Sequence, residues 1–219
     1  MSRRSLIGAM CVLMLVAVQA NAENSLPGYG PAPTEPPTLP DNGIQVFKGT
    51  LVPNIGLGCS NVGGTSGGPN DVAQGVTATL PCTATSHWYY IFTQVSPTIT
   101  ALSFVSWLDI GGPNIEFYRM PGMDWTLGSH TAAINMIAPS PTFFIGHNQP
   151  QSNVGMRWGL DTASPDNGKS YIRAPSCGAN AFVTIGSLGF PGQWTFAITC
   201  TKATPVELTT WGKVKEAYN

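Results

Sequence analysis

The residues of this chain whose types could do chemistry are its three histidines, a group of methionines around them, two aspartates near a glycine turn, and a few aromatic rings at strand ends. His130 and His147 lie in the same middle region as Met120, Met123, Met136 and Met156. Imidazole nitrogen with thioether sulfur is a soft donor set suited to copper. No His-x-His or His-x-x-x-His spacing places two of His87, His130 and His147 on one face, so such a site needs convergence in space. Methionines that fill gaps in a core are the alternative, and the expectation is no metal. Asp161 and Asp166, with Asn167-Gly168, offer oxygens to calcium, but their spacing misses the D-x-[DN]-x-[DN]-G loop and reads as a turn. No cofactor is expected, calcium and copper being the candidates weighed. Tyr118, and Trp125 in Gly122-Met123-Asp124-Trp125-Thr126, sit near turns, where an exposed ring can stack on the face of a sugar. They are the candidate ligand-stacking residues.

Gly64-Thr65-Ser66-Gly67-Gly68-Pro69 matches G-x-S-x-G, the pattern of a nucleophilic serine, and is similar to the serine loop of chymotrypsin-like proteases with Thr65 in place of aspartate. Both readings fail on context. A nucleophile elbow needs a strand before and a helix after, whereas Cys59 and Pro69-Asn70 flank this segment. The protease order puts histidine and aspartate ahead of serine, and here every histidine follows Ser66. The segment reads as a glycine loop, no catalytic residue is assigned, and the chain is read as no enzyme.

The cysteines place the chain. It opens with Arg3 and Arg4, an apolar run from Leu6 to Val18, and Ala20-Asn21-Ala22, the pattern of a signal peptide over residues 1–22. The apolar run falls short of the roughly 20 residues of a membrane span, and nothing later approaches that length. Ser2-Arg3-Arg4-x-Leu6-Ile7 also resembles a twin-arginine leader. Cys11 lies inside the apolar run, leaving Cys59, Cys82, Cys177 and Cys200. An even count in an exported chain argues for two disulfides with three pairings open. The local pairing, Cys59 with Cys82 and Cys177 with Cys200, is expected, each bridge contributing roughly 3 kcal/mol. Without a C-x-x-C pair a thiolate metal site is disfavoured. Removing Arg3 and Arg4 from 10 basic side chains leaves 8 against 11 acidic ones. Such a chain is a poor partner for nucleic acid.

Whatever positions these groups is β-structure. The 25 glycines and 19 prolines belong to a loop-rich extracellular protein. Strand signals recur over Ile44 to Val52, Val72 to Leu80, His87 to Val95, Thr98 to Ile110, Asn114 to Arg119, Phe143 to Gly146, Val154 to Leu160 and Ser170 to Ala174. A hairpin from Cys177 to Cys200 closes the series, with Trp194, Phe196, Ile198 and Cys200 on one parity. Folded with Cys177 opposite Cys200, it sets Ala181 against Phe196 and Val183 against Trp194. His87-Trp88-Tyr89-Tyr90-Ile91-Phe92 is apolar on both parities, which predicts a central strand covered on both faces. No helical period precedes residue 204. The organisation expected is a signal peptide (1–22), a Pro-rich tether (23–43), an all-β antiparallel sandwich of jelly-roll type (44–203), and a short amphipathic helix (204–219).

The helix expectation rests on Thr204, Pro205 and Glu207 as cap, first position and capping-box acid, with Leu208, Trp211, Val214 and Tyr218 on one stripe. The tether carries Pro27, Pro31, Pro33, Pro36, Pro37 and Pro40 and favours an extended, semi-rigid segment.

Asn70-Asp71-Val72, His87-Trp88-Tyr89-Tyr90-Ile91-Phe92-Thr93, Asn114-Ile115-Glu116-Phe117-Tyr118-Arg119 and the closing alternating strand resemble, in their order, the bacterial pre-peptidase C-terminal type jelly-roll over about residues 55–201. The chain departs from that family in lacking its usual Tyr-Tyr-Ile-Arg-Val start to the last hairpin, unless Tyr171-Ile172-Arg173 serves in its place. The resemblance implies a non-catalytic secreted module, often appended to hydrolases, sometimes binding polymers or calcium. The expected function is thus a bacterial, secreted, periplasmic or cell-surface module with a structural, adhesive or assembly role. The alternative is carbohydrate or metal binding. Expected partners are a further copy, another surface protein or a polysaccharide, with no transmembrane segment in the mature chain.

Overall fold

The structure is a computed structural model that describes residues 18–19, 43–58, 69–94, 101–150, 156–165 and 168–201. The strands among them, in chain order, are β1 (Val18–Gln19), β2 (Ile44–Phe47), β3 (Ile55–Leu57), β4 (Asn70–Thr77), β5 (Thr83–Gln94), β6 (Ser103–Asp109) and β7 (Pro113–Pro121). They continue as β8 (Gly128–Ile137), β9 (Thr142–Gln149), β10 (Met156–Asp161), β11 (Ser170–Ala174), β12 (Ala179–Thr184), β13 (Gln193–Trp194) and β14 (Phe196–Thr201). All pairings are antiparallel and form two sheets. The first runs β1-β3-β10-β5-β14-β2, with β8 also on β5 and β13 on β10. The second runs β12-β11-β4-β9-β6-β7.

The expected central strand is β5. It pairs with β8 along one side and with β14 and then β10 along the other. Its odd positions, His87, Tyr89 and Ile91, point into the gap between the sheets. Its even positions, Trp88, Tyr90 and Phe92, form a second apolar cluster with Ala197 and Leu51 on the far face. Leu51 belongs to the segment that runs from β2, beside β14, to β3, beside β10. Asp161 holds that segment by accepting from the Thr50 amide at 2.8 Å and the Thr50 hydroxyl at 2.6 Å. The main core lies between the sheets and is lined by Trp158, Trp194, Phe196 and Leu160 of the first and Val72, Phe104, Phe143, Ile145 and Ile172 of the second.

Two expectations about the closing segment are corrected. Trp194, Phe196, Ile198 and Cys200 are buried as their parity requires, but β12 and β14 do not form a hairpin. β12 pairs with β11 in the second sheet and β14 with β5 and β2 in the first. Alternation distinguishes inside from outside; it does not distinguish a partner in the same sheet from one across the gap. The disulfide pairing changes with it. Cys200 is bonded to Cys82, 118 residues away in sequence, because β14 lies beside the start of β5. Cys177 is therefore not bonded to Cys200, nor Cys82 to Cys59. Cys177 is also in a disulfide.

Strand β8, which no sequence signal announced, covers β5 with inward Ile134 and Met136. The signal peptide, apart from Val18–Gln19 on the edge of β3, lies outside the described residues, as do the tether through residue 42, the Ser66 loop, Cys59, Asp166 and the expected helix. No helix among the described residues is long and apolar enough to cross a membrane.

A bridge closing so long a loop contributes on the order of 5 kcal/mol. A non-reduced digest is expected to yield a crosslinked pair containing Cys82 and Cys200, and Cys82→Ala/Cys200→Ala to lose about 3–5 kcal/mol on chemical denaturation. Recovery of a Cys177–Cys200 fragment would contradict this topology.

Candidate functional site

The outward parity of the second sheet is unusual in being rich in rings. Phe144 of β9 pairs with Gly75 on one side and Trp107 on the other, and Tyr171 of β11 pairs with Ala73. These residues, with Val105 and Phe182, form an apolar cluster on the face turned away from the core. Phe144 meets Tyr171 edge-on at 5.4 Å between centroids, and Trp107 meets Phe182 at 5.5 Å. β6 and β12 are four strand spacings apart, about 19 Å on a flat sheet, so the sheet must curl around this face for those two rings to touch. Small residues make the curl possible. A Cβ on Gly146 would collide with the Val72 carbonyl, and one on Gly75 would meet Lys169 and the Phe144 ring.

One step along the strands, a polar stripe runs parallel to the ring stripe. Arg173 donates from Nε to Asp71 at 2.8 Å. The Asn148 amide donates to the other Asp71 oxygen at 2.8 Å. Arg119 donates to Asn148 at 3.0 Å and, through Nε and Nη2, to both oxygens of Glu116 at 2.7 Å. The residues come from β11, β4, β9 and β7, so the chain of bonds crosses nearly the whole sheet. Asp71 is buried, whereas the side chains of Arg173, Arg119 and Glu116 are each about 40% exposed (42%, 40% and 38%). Hydrogen bonding to Glu116 raises the Arg119 guanidinium further above its ordinary value. Two cations flank the rings: Lys169, bonded to Asp109 at 2.8 Å, lies 5.6 Å from the Phe144 centroid, and Arg173 lies 5.1 Å from that of Phe182. Among the described residues, Arg119, Lys169 and Arg173 on this face are paired with Glu116, Asp109 and Asp71.

The residues expected from sequence fall elsewhere. Tyr118 is partly buried against Phe104, its hydroxyl accepting from the Asn135 amide, and Trp125 packs partly buried against the main core. Met123, Met136 and Met156 are core, with the Ser106 hydroxyl donating to the Met136 sulfur. His130 bonds the Thr126 carbonyl at 2.8 Å, with Asp124 at 3.5 Å. His147 meets His87, a partner that spacing did not nominate, in the buried core. Among the described residues, no group of three His, Cys, Asp or Glu side chains could hold a metal ion. The Asp161 carboxylate is engaged by Thr50, Ala163 and Ser164. Burial pushes it up, and the bonds from Ser164 and Thr50 outweigh that and hold it below its ordinary value.

No family model matches the chain, and no match is found among curated proteins or solved structures.

Because Asp71 is buried and accepts from both Arg173 and Asn148 while the Lys169–Asp109 pair is partly solvated, their removal should differ. Asp71→Ala is expected to cost about 2 kcal/mol in urea denaturation and Lys169→Met less than about 1 kcal/mol. Equal losses would contradict the assignment of the polar stripe as an anchored element.

Proposed function

We propose that the protein is an exported, non-enzymatic β-sandwich module with an adhesive role, and that the curled outer face of the second sheet is its working surface. The observation that carries this reading is the parallel ring and polar stripes, four rings from four strands beside a hydrogen-bonded row from four strands. The arrangement fits an extended, uncharged polysaccharide. Partly exposed Tyr171 and Phe182 offer faces for sugar C–H groups, and Arg173 of β11, Asn148 of β9, and Arg119 and Glu116 of β7 offer donors and acceptors for hydroxyls at intervals of two strands. Charge neutrality of the face disfavours a polyanion.

The reading includes the leader, the jelly-roll connectivity implied by the pre-peptidase-type motifs, the tail helix, and a second crosslink. With Cys82 and Cys200 joined and Cys177 oxidised, Cys59 is the cysteine of the mature chain left to pair with it. A non-enzymatic role agrees with the ring nitrogens of His87 and His147, which are spent on hydrogen bonds inside the core.

Retention of the mature protein on insoluble neutral polysaccharides tests the proposal. Tyr171→Ala and Phe182→Ala are expected to weaken binding about tenfold each, with circular dichroism unchanged. Retention on none of the polymers, or undiminished retention of both variants, would overturn it. If the face instead joins copies of the chain, light scattering will show an oligomer that the same variants dissociate.

A further inference from the structure

A thread of hydrogen bonds crosses the core from sheet to sheet, and the chemistry of its two ends sets its direction. At one end the Trp158 indole, a donor only, donates from Nε1 to His147 Nδ1 at 2.8 Å. At the other the Ala197 carbonyl, an acceptor only, lies 3.1 Å from His87 Nδ1. Between them the two Nε2 atoms stand 3.0 Å apart. His147 must accept at Nδ1, so its proton is on Nε2. His87 must donate from Nδ1, so its Nε2 is bare and receives the His147 proton. One arrangement of protons satisfies all four groups, and it requires both imidazoles to be neutral.

A third proton has no place in this thread. Added to either ring, it sets N–H against N–H at His87 and His147 or against the Trp158 N–H. Both histidines are fully buried. Among the described residues, the groups packed around them supply no counter-charge. Tyr89 stacks on His87 from β5 and meets His147 edge-on, and burial raises its hydroxyl, which donates to the Asp124 carbonyl. Phe104 of β6, Phe196 of β14 and Trp158 of β10 are uncharged. His130 of β8, behind Tyr89, would add a like charge, and Asp124 lies beyond it.

We propose that the His87–His147 contact is an acid-operated latch between the two sheets. It holds while both rings are neutral, and mild acid parts the sheets there while Cys82–Cys200 keeps β14 joined to the start of β5. Burial, only partly offset by the bond to Ala197, lowers His87 to about 3, and burial with the neighbouring His87 and His130 holds His147 well below the ordinary histidine value of 6.5. A depressed histidine stabilises the closed form fully above the pKa it has when opened, near 6.5. That stabilisation is lost as pH falls from 6.5 toward 3. With two such groups the opening constant rises by up to about 100-fold per pH unit.

The mature full-length chain, titrated from neutral to acid pH and back, tests this. Near-ultraviolet circular dichroism, which follows Trp158 and Trp194 packing, should fall reversibly below pH 6.5 while the far-ultraviolet signal persists. The opening constant, measured by denaturation between about pH 6 and 5, should rise by close to two protons' worth. A flat constant over that window overturns the latch, whatever the variants do. An amide holds its oxygen and nitrogen about as far apart as the two ring nitrogens, so His87→Gln/His147→Gln keeps one donor and one acceptor at each place without titrating. In this variant the transition should move down by at least about one pH unit and lose its steepness. If the double variant does not fold, His87→Gln alone should halve the proton dependence. A transition at the wild-type pH and slope in either would assign it to carboxylates and overturn the proposal.

Discussion

Two imidazoles facing each other in the buried core between the sheets are the constraint around which this sandwich is arranged. A buried polar group is tolerated only when its bonds are made, and four strands must be in register to make them here. β5 brings His87, β9 brings His147, β10 brings the Trp158 indole, and β14 brings the Ala197 carbonyl. Shifting any of these strands by one residue would turn its contribution to the opposite face. The hydrophobic contacts around the thread supply most of the stabilisation. The thread selects which packing of the two sheets they stabilise, as buried polar networks do when fully satisfied. The Cys82–Cys200 bridge acts at the same place on another level, fixing β14 beside β5 so that Ala197 stands opposite Trp88 and its carbonyl can reach His87.

The two sheets then use their outer faces differently. That of the first is covered by the chain itself, with Leu51 in the crossing segment packed on Trp88, Tyr90 and Phe92. That of the second keeps its rings but frames them with ion pairs and an amide, and Tyr171 and Phe182 stay partly open. Rings on an outer face are a liability in a monomer unless something uses them. The glycines beneath them and the curl they allow give the face a shape, and the parallel polar stripe gives it directional bonding.

Much of the scaffold was legible in the residues. The run His87 to Phe92, apolar on both parities, named the central strand, and the parity of Trp194 to Cys200 named a buried face. The partner of that face was not legible, because Val183 and Trp194 point inward from opposite sheets and alternate identically either way. β8 was missed because Gly128, Ala132, Ala133 and Asn135 have weak strand preference. It is a strand because β5 leaves a row of backbone groups to be paired. The histidine pair is separated by 60 residues and has no local spacing. A signal did exist, since each histidine shares the inward parity of its strand, with Tyr89 and Ile91 or with Phe143 and Ile145. The ring stripe had the same kind of signature. Trp107, Phe144 and Tyr171 occupy the parity opposite the core residues of their strands, a pattern that Tyr118 and Trp125, chosen for their nearness to turns, do not share.

The protonation order of the thread can be read directly. Long-range nitrogen–proton correlation spectra of the histidine-labelled protein at neutral pH should show two neutral rings of opposite tautomer, His147 protonated on Nε2 and His87 on Nδ1, with a downfield indole proton for Trp158. An imidazolium at either position, or the same tautomer at both, would contradict the hydrogen-bond polarity on which the account of this core depends.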